Sequence, residues 1–102
     1  MNFEIISEKV TDWAKARQII PNSTPMAQAI KTTEEVAELL KSLSKKDLKE
    51  AEDAYGDILV TLVIGASLAN LNLIKCFNAA YEVIKDRQGY LSSDGIFVKT
   101  TK

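Results

Sequence analysis

Histidine is absent from the 102 residues, and cysteine occurs once, as Cys76. The first absence removes imidazole acid–base catalysis, nucleophile–histidine pairs and the usual zinc and di-iron ligand sets. The second removes any internal disulfide and fits a reducing, cytoplasmic setting. A metal bound by such a chain must be held by oxygen, which points to a hard ion such as Mg²⁺ or Mn²⁺. An excess of charge is lacking too. Thirteen Lys and Arg face 14 Asp and Glu, for a formal net charge of -1, so no general drive toward nucleic acid or anionic membrane exists. There is no strand pattern long enough to build a sheet, no internal repeat and no low-complexity segment. The N-terminus, MNFEIISEK, is charged early and lacks the apolar core of a signal peptide. The most apolar run, Ile58 to Ile74, is interrupted by Thr61, Ser67, Asn70 and Asn72. It falls short of the ~20 apolar residues a spanning helix needs, so a buried helix is expected there and no membrane partner.

The chain is 46% hydrophobic and 26% charged, which predicts one folded domain over residues 1–102. Four helices are expected, followed by a non-helical tail over about 90–102. The first runs from about Ser7 to Gln18, with Val10, Trp13, Ala14 and Arg17 at helical spacing. IIPNSTP breaks it. Thr24 and Pro25 supply an N-cap and a first-turn proline for a second helix to about Leu43. SLSKKD turns the chain, with Ser44 and Asp47 resembling a capping box. A third helix then reaches about Ala69, and a fourth runs from about Asn72 to Gln88, with Gly89 placed to end it. Asp94-Gly95 is a turn signal ahead of the apolar pair Phe97-Val98.

On the second helix Lys31, Glu34, Glu35 and Glu38 share one arc at about 100° per residue, and Ile30, Val36, Leu39, Leu40 and Leu43 fill the other side. Alone, this is an ordinary amphipathic helix. On the third, Glu50, Asp53 and Asp57 share an arc that turns apolar one turn later, at Val60, Thr61 and Ile64. That helix is expected to be buried on every side past Asp57, with Gly56 allowing close approach. A short turn makes the two helices antiparallel, which brings Glu35 and Glu38 level with Asp53 and Asp57. Four converging carboxylates repel unless a cation is present. A solvated acidic face remains the competing reading of the same residues.

Lys31-x-x-Glu34-Glu35-x-x-Glu38, followed by an acidic pair ending in Gly56-Asp57 before an apolar run, resembles the MazG-type nucleoside triphosphate pyrophosphohydrolases. Trp13, Ala14 and Arg17 are similar to the early WA-x-x-R element, and AAYEVIKDRQG, 79–89, is similar to the late basic motif of small phage-type members. The chain departs from the usual Glu-x-x-Asp in having Ala54 three before Asp57; Asp53 keeps the face, and Glu50 is a possible substitute. It also has Glu82 where many members have asparagine.

The resemblance implies an all-α, four-helix MazG-type bundle that hydrolyses a nucleoside triphosphate to the monophosphate and pyrophosphate with Mg²⁺, or Mn²⁺ in its place. Glu35, Glu38, Asp53 and Asp57 would be the metal ligands and Glu34 the residue that orients or deprotonates the attacking water. Lys31, Lys85 and Arg87 would hold phosphate oxygens, against a solvated role for each. Trp13 would stack on the base, or else belong to the core. The rival reading is a helical binding or oligomerisation module with an acidic docking face and no turnover. A homodimer or homotetramer is expected in either case, because the uncharged segment from Ile58 to Ile74 would leave one apolar face wet. Phe97 and Val98 could add to that contact, and Val63→Lys or Ile64→Lys is expected to split the assembly.

Overall fold

A computed structural model describes residues 1–100; Thr101 and Lys102, the end of the expected 90–102 tail, lie outside the described residues. The element order is α1 (Phe3–Ala16), α2 (Ile19–Asn22), α3 (Pro25–Ser44), α4 (Leu48–Leu68), α5 (Leu73–Ile84), β1 (Gly89–Leu91) and β2 (Phe97–Lys99). The protein is therefore predominantly helical. Several expectations change. α1 starts one turn early, because the Asn2 side chain accepts from the Ile5 amide at 2.9 Å. The IIPN break is a short closed turn, in which the Ser23 amide donates to the Ile19 carbonyl at 2.8 Å while Ile20 departs from helical geometry. The tail forms a small antiparallel hairpin that pairs Gly89 with Lys99, Tyr90 with Val98 and Leu91 with Phe97. Gly89 does not cap a helix. It lies in β1, where a Cβ would overlap the Val98 carbonyl oxygen and the Phe97 ring, and α5 stops at Ile84.

The α3–α4 hairpin is the body of the molecule, and its ends are set by local chemistry. Thr24 Oγ1 accepts from the Ala27 amide at 3.0 Å, with Pro25 in the first turn. At the other end Lys46 adopts the left-handed conformation, and the Asp47 and Lys46 amides reach back to the Ser42 and Leu43 carbonyls at 2.9 and 3.1 Å. This is a Schellman closure. Asp47 then caps α4 by accepting from the Glu50 amide at 3.1 Å. Asp47 is the N-cap, and Ser44 is still α3. One residue thus ends the first closure and begins the next helix, which leaves the chain no choice but to reverse.

The seam between the two helices is unusually polar and thin. α3 turns Gln28, Thr32, Glu35, Leu39 and Ser42 toward α4 as its more sheltered positions, while α4 answers with Ala51, Ala54, Ile58, Thr61 and Gly65. The Thr32 and Thr61 hydroxyls share a hydrogen bond of 2.7 Å. A Cβ on Gly65 would stand 3.2 Å from the Gln28 Cβ, so the helices touch almost backbone to backbone there. Gly65→Leu is expected to wedge them apart and lower stability by about 1–3 kcal/mol, measured as the urea midpoint.

Of the apolar side of α3, Ile30, Val36, Leu40 and Leu43 are exposed, Leu40 at 65%, and Leu39 is half-buried. Helix α4 is not buried all round either, since Leu59 and Leu62 face solvent in the single chain. Among the described residues the buried hydrophobics are Ala14, Ala51, Ala54, Val63 and Ile64. Val63 and Ile64 are thus core residues and not an outer contact face. α1 lies against α4, and α5 leaves α4 at a bend of 103°. Among the described residues no single helix is long and apolar enough to cross a membrane.

Candidate acidic cleft between α3 and α4

Glu35 and Glu38 on α3 and Glu50, Asp53 and Asp57 on α4 line one cleft of about 230 Å³. The register predicted from the short turn therefore holds: residues two turns before it meet residues two turns after it. Glu50, named as a substitute, lines the cleft together with Asp53. Ser42 lines the same cleft, donating to the Glu38 carbonyl at 2.8 Å while itself only 2% exposed. The Glu35 side chain is 16% exposed, the most sheltered carboxylate in an ion pair here, and Lys31 Nζ approaches it at 3.6 Å.

The carboxylates surround the cleft without closing on a point. Among the described residues no three Asp, Glu, Cys or His side chains are close enough to hold one metal ion. In donor chemistry the cleft suits a hard cation, since the ligand atoms its side chains offer are the oxygens of five carboxylates and the Ser42 hydroxyl. Cys76, the one thiol, lies elsewhere, in an apolar groove of about 330 Å³ where α1, α4 and α5 meet.

The remaining expected residues are scattered. Glu34 does not line the cleft; its carboxylate is 3.7 Å from Lys31 Nζ, on the solvent side of α3. Lys31 is thus engaged by two acids of its own helix. Lys85 pairs with Glu82 at 2.6 Å on α5, and Arg87 lies in the turn beyond α5; neither lines the cleft. Trp13 belongs to neither the acidic cleft nor the core. It is 44% exposed, with the Arg17 guanidinium 4.7 Å over its ring, a cation–π arrangement that covers one face.

Two cations outside the expected set do line the cleft: Lys41 and Lys45. Their signal was present in the sequence, since positions 38, 41 and 45 follow one arc of the helix. A second and larger cleft of about 670 Å³ opens between α1 and α4, walled by Phe3, Ile6, Val10, Leu59 and Val60 and floored by Glu52, Asp53 and Asp57. Asp53 and Asp57 belong to both clefts. Gly56 lines the larger one, and nothing lies within 4 Å of where its Cβ would be, so it opens space instead of admitting a neighbouring backbone.

No protein-family profile matches the chain, and no solved structure matches it significantly. Over 67 residues it is 31% identical to an uncharacterised 18.2 kDa protein from the rep-hol intergenic region of Haemophilus phage HP1 (strain HP1c1). That match covers 66% of this chain and 41% of the relative. The chain thus spans less than half the length of that protein.

Proposed function

We propose that the chain is a MazG-like, Mg²⁺-dependent nucleoside triphosphate pyrophosphohydrolase, with Mn²⁺ able to replace Mg²⁺. The observation that carries this reading is the gathering of Glu35, Glu38, Glu50, Asp53 and Asp57, with Lys41 and Lys45, around one open cleft. Glu35, Glu38, Asp53 and Asp57 would hold the cation, with Glu50 beside them. A bound Mg²⁺ would polarise the phosphates and acidify water. The chain's own contribution is positional. Lys41 and Lys45 meet phosphate oxygens at the mouth of the cleft, as point charges on flexible stems. Because Asp53 and Asp57 also line the larger cleft, a triphosphate at the acids would send its nucleoside toward Phe3, Ile6 and Val10, an apolar slot suited to a base. Glu34 stands outside the cleft on the solvent side of α3, so it would serve the attacking water only from the rim, by orienting it. Water attack at the α-phosphorus breaks the α–β bridge, and pyrophosphate leaves with the monophosphate as co-product. Assembly into a homodimer or homotetramer belongs to the same reading.

A screen of ribo- and deoxyribonucleoside triphosphates with product analysis tests it. Pyrophosphate and a monophosphate, formed only with Mg²⁺ or Mn²⁺, are expected; orthophosphate with a diphosphate would contradict attack at the α-phosphorus. Glu34→Gln then separates roles, since loss of kcat at unchanged KM assigns Glu34 to the water. One observation favours the rival, a docking module without turnover: the acids stand apart around an open groove. A docking face would give only salt-screened binding and no Mg²⁺-dependent rise in melting temperature.

A further inference from the structure

Glu52 and Gly56 line the larger cleft, and the acidic site explains neither. At about 100° and 1.5 Å per residue, Glu52 lies about 140° around α4 from Asp57 and about 7.5 Å along it. It therefore stands on the far wall from the proposed cation ligands, and it does not line the acidic cleft. Among the described residues its carboxylate is in no ion pair. Gly56 lies between the two, one turn from Glu52, in the interior of a 21-residue helix. Glycine is a poor residue there. Gly65 on the same helix has a packing reason, since a Cβ would stand 3.2 Å from the Gln28 Cβ. Gly56 has none, because nothing lies within 4 Å of where its Cβ would be. What it leaves is a bare stretch of helix, across which a flat group can lie between Asp57 and Glu52.

The polar side chains of this cleft are unevenly matched. Glu52, Asp53 and Asp57 supply carboxylates, which when ionised only accept, and the Ser7 hydroxyl is the one side-chain donor in the wall. Asp53 and Asp57 are assigned to the cation, so Glu52 and Ser7 are left to meet the edge of a base. The pairing edge of guanine has two adjacent donors, N1–H and N2–H, beside one acceptor, O6. Two carboxylate oxygens match two adjacent donors in a charge-assisted, bidentate pair. Adenine and cytosine set one donor beside a ring-nitrogen acceptor, and uracil and thymine set one donor between two carbonyls. Each of those four would aim a lone pair at the carboxylate.

We propose that the larger cleft selects guanine. Glu52 accepts from N1–H and N2–H, the Ser7 hydroxyl is the donor available to O6, and Gly56 leaves room for the ring between the base edge and the phosphates. The inference rests on the pyrophosphohydrolase reading for where the phosphates lie, and adds the base which that reading leaves open. Neither Glu52 nor Gly56 belongs to the metal set.

Steady-state hydrolysis of GTP, ITP, ATP, CTP and UTP by the full chain with Mg²⁺ tests it. GTP is expected to lead in kcat/KM by about 5–150-fold, the range of one bidentate base contact. ITP, which lacks the N2 amine, is expected to fall behind GTP. Glu52→Gln sets one donor beside one acceptor, the match of adenine N1 and N6–H, so the preference is expected to move from GTP to ATP at an unchanged melting temperature. Gly56→Ala is expected to raise the melting temperature, since alanine is the better helix former, yet also to raise KM for GTP, and Gly56→Leu to raise KM further. Turnover with no guanine preference, or with one that Glu52→Gln leaves in place, overturns the proposal and leaves the hydrolase reading standing. Binding is read separately by NMR, from the Gly56 amide with the Gly65 amide as control. Millimolar GMP without metal is expected to move the Gly56 signal, IMP to move it less, and Glu52→Gln to abolish the response. That result in a chain that hydrolyses no triphosphate would remove the hydrolase reading and keep the guanine site. A Gly56 signal that GMP leaves in place overturns the proposal whether or not hydrolysis occurs.

Discussion

Asp57→Asn is expected to remove Mg²⁺-dependent pyrophosphate release while leaving the metal-free protein folded. Asp57 lies where the acidic cleft and the α1–α4 cleft meet, so it would touch both the cation and the route of the substrate. Loss of a residue that merely supports a metal ligand typically costs about 10–100-fold. Loss of a ligand itself should therefore cost at least about 100-fold. Without metal, the substitution removes one of five carboxylates that repel across the cleft. The apo melting temperature is thus expected to stay level or rise. Glu38→Gln should behave alike, since Glu38 enters the same cleft from α3. A variant that unfolds without metal would show that the carboxylate holds the fold, and one that keeps its turnover would remove the acids from the mechanism.

Ile64→Lys is expected to unfold the chain instead of dissociating an intact subunit. Ile64 is 3% exposed on α4. Shortening a buried isoleucine to alanine already costs about 2–5 kcal/mol, and a lysine there adds a charge with no partner. Whole domains are stable by only about 5–15 kcal/mol. Far-UV circular dichroism should show lost helix at 25 °C, or a urea midpoint moved toward zero. Native helix content in a dissociated Ile64→Lys chain would restore the view that Ile58 to Ile74 forms the outer contact face.

The features that could be read in the sequence are those set within four or five residues. Thr24-Pro25 caps a helix as expected and α5 starts at Asn72 as expected, while the turn before α4 falls where expected but its cap is Asp47 and not Ser44; that short turn brings the acids level. What could not be read depends on what covers what. Leu40 and Glu35 lie on opposite sides of one amphipathic helix, and periodicity tells the two sides apart without saying which faces the partner helix. The small residues of α4, Ala51, Ala54 and Gly65, let the polar side of α3 come close. Lys31 resembled a phosphate ligand by position, yet its reach is taken by Glu34 and Glu35. The three-residue strands of the hairpin are too short to show alternation, so only their turn was visible.

The hydroxyl pair of Thr32 and Thr61 gives the cleft a fixed scale. Thr32 stands one turn before Glu35, and Thr61 one turn after Asp57, so the single hydrogen bond that joins them works as the zero mark of a vernier. Sliding α3 by one residue along α4 displaces it by about 1.5 Å, enough to separate the oxygens now held at 2.7 Å. A displacement near 1 Å is also about what costs a reacting geometry 100-fold. The distance by which this joint detects an error in alignment is therefore the distance that chemistry in the neighbouring cleft could least tolerate.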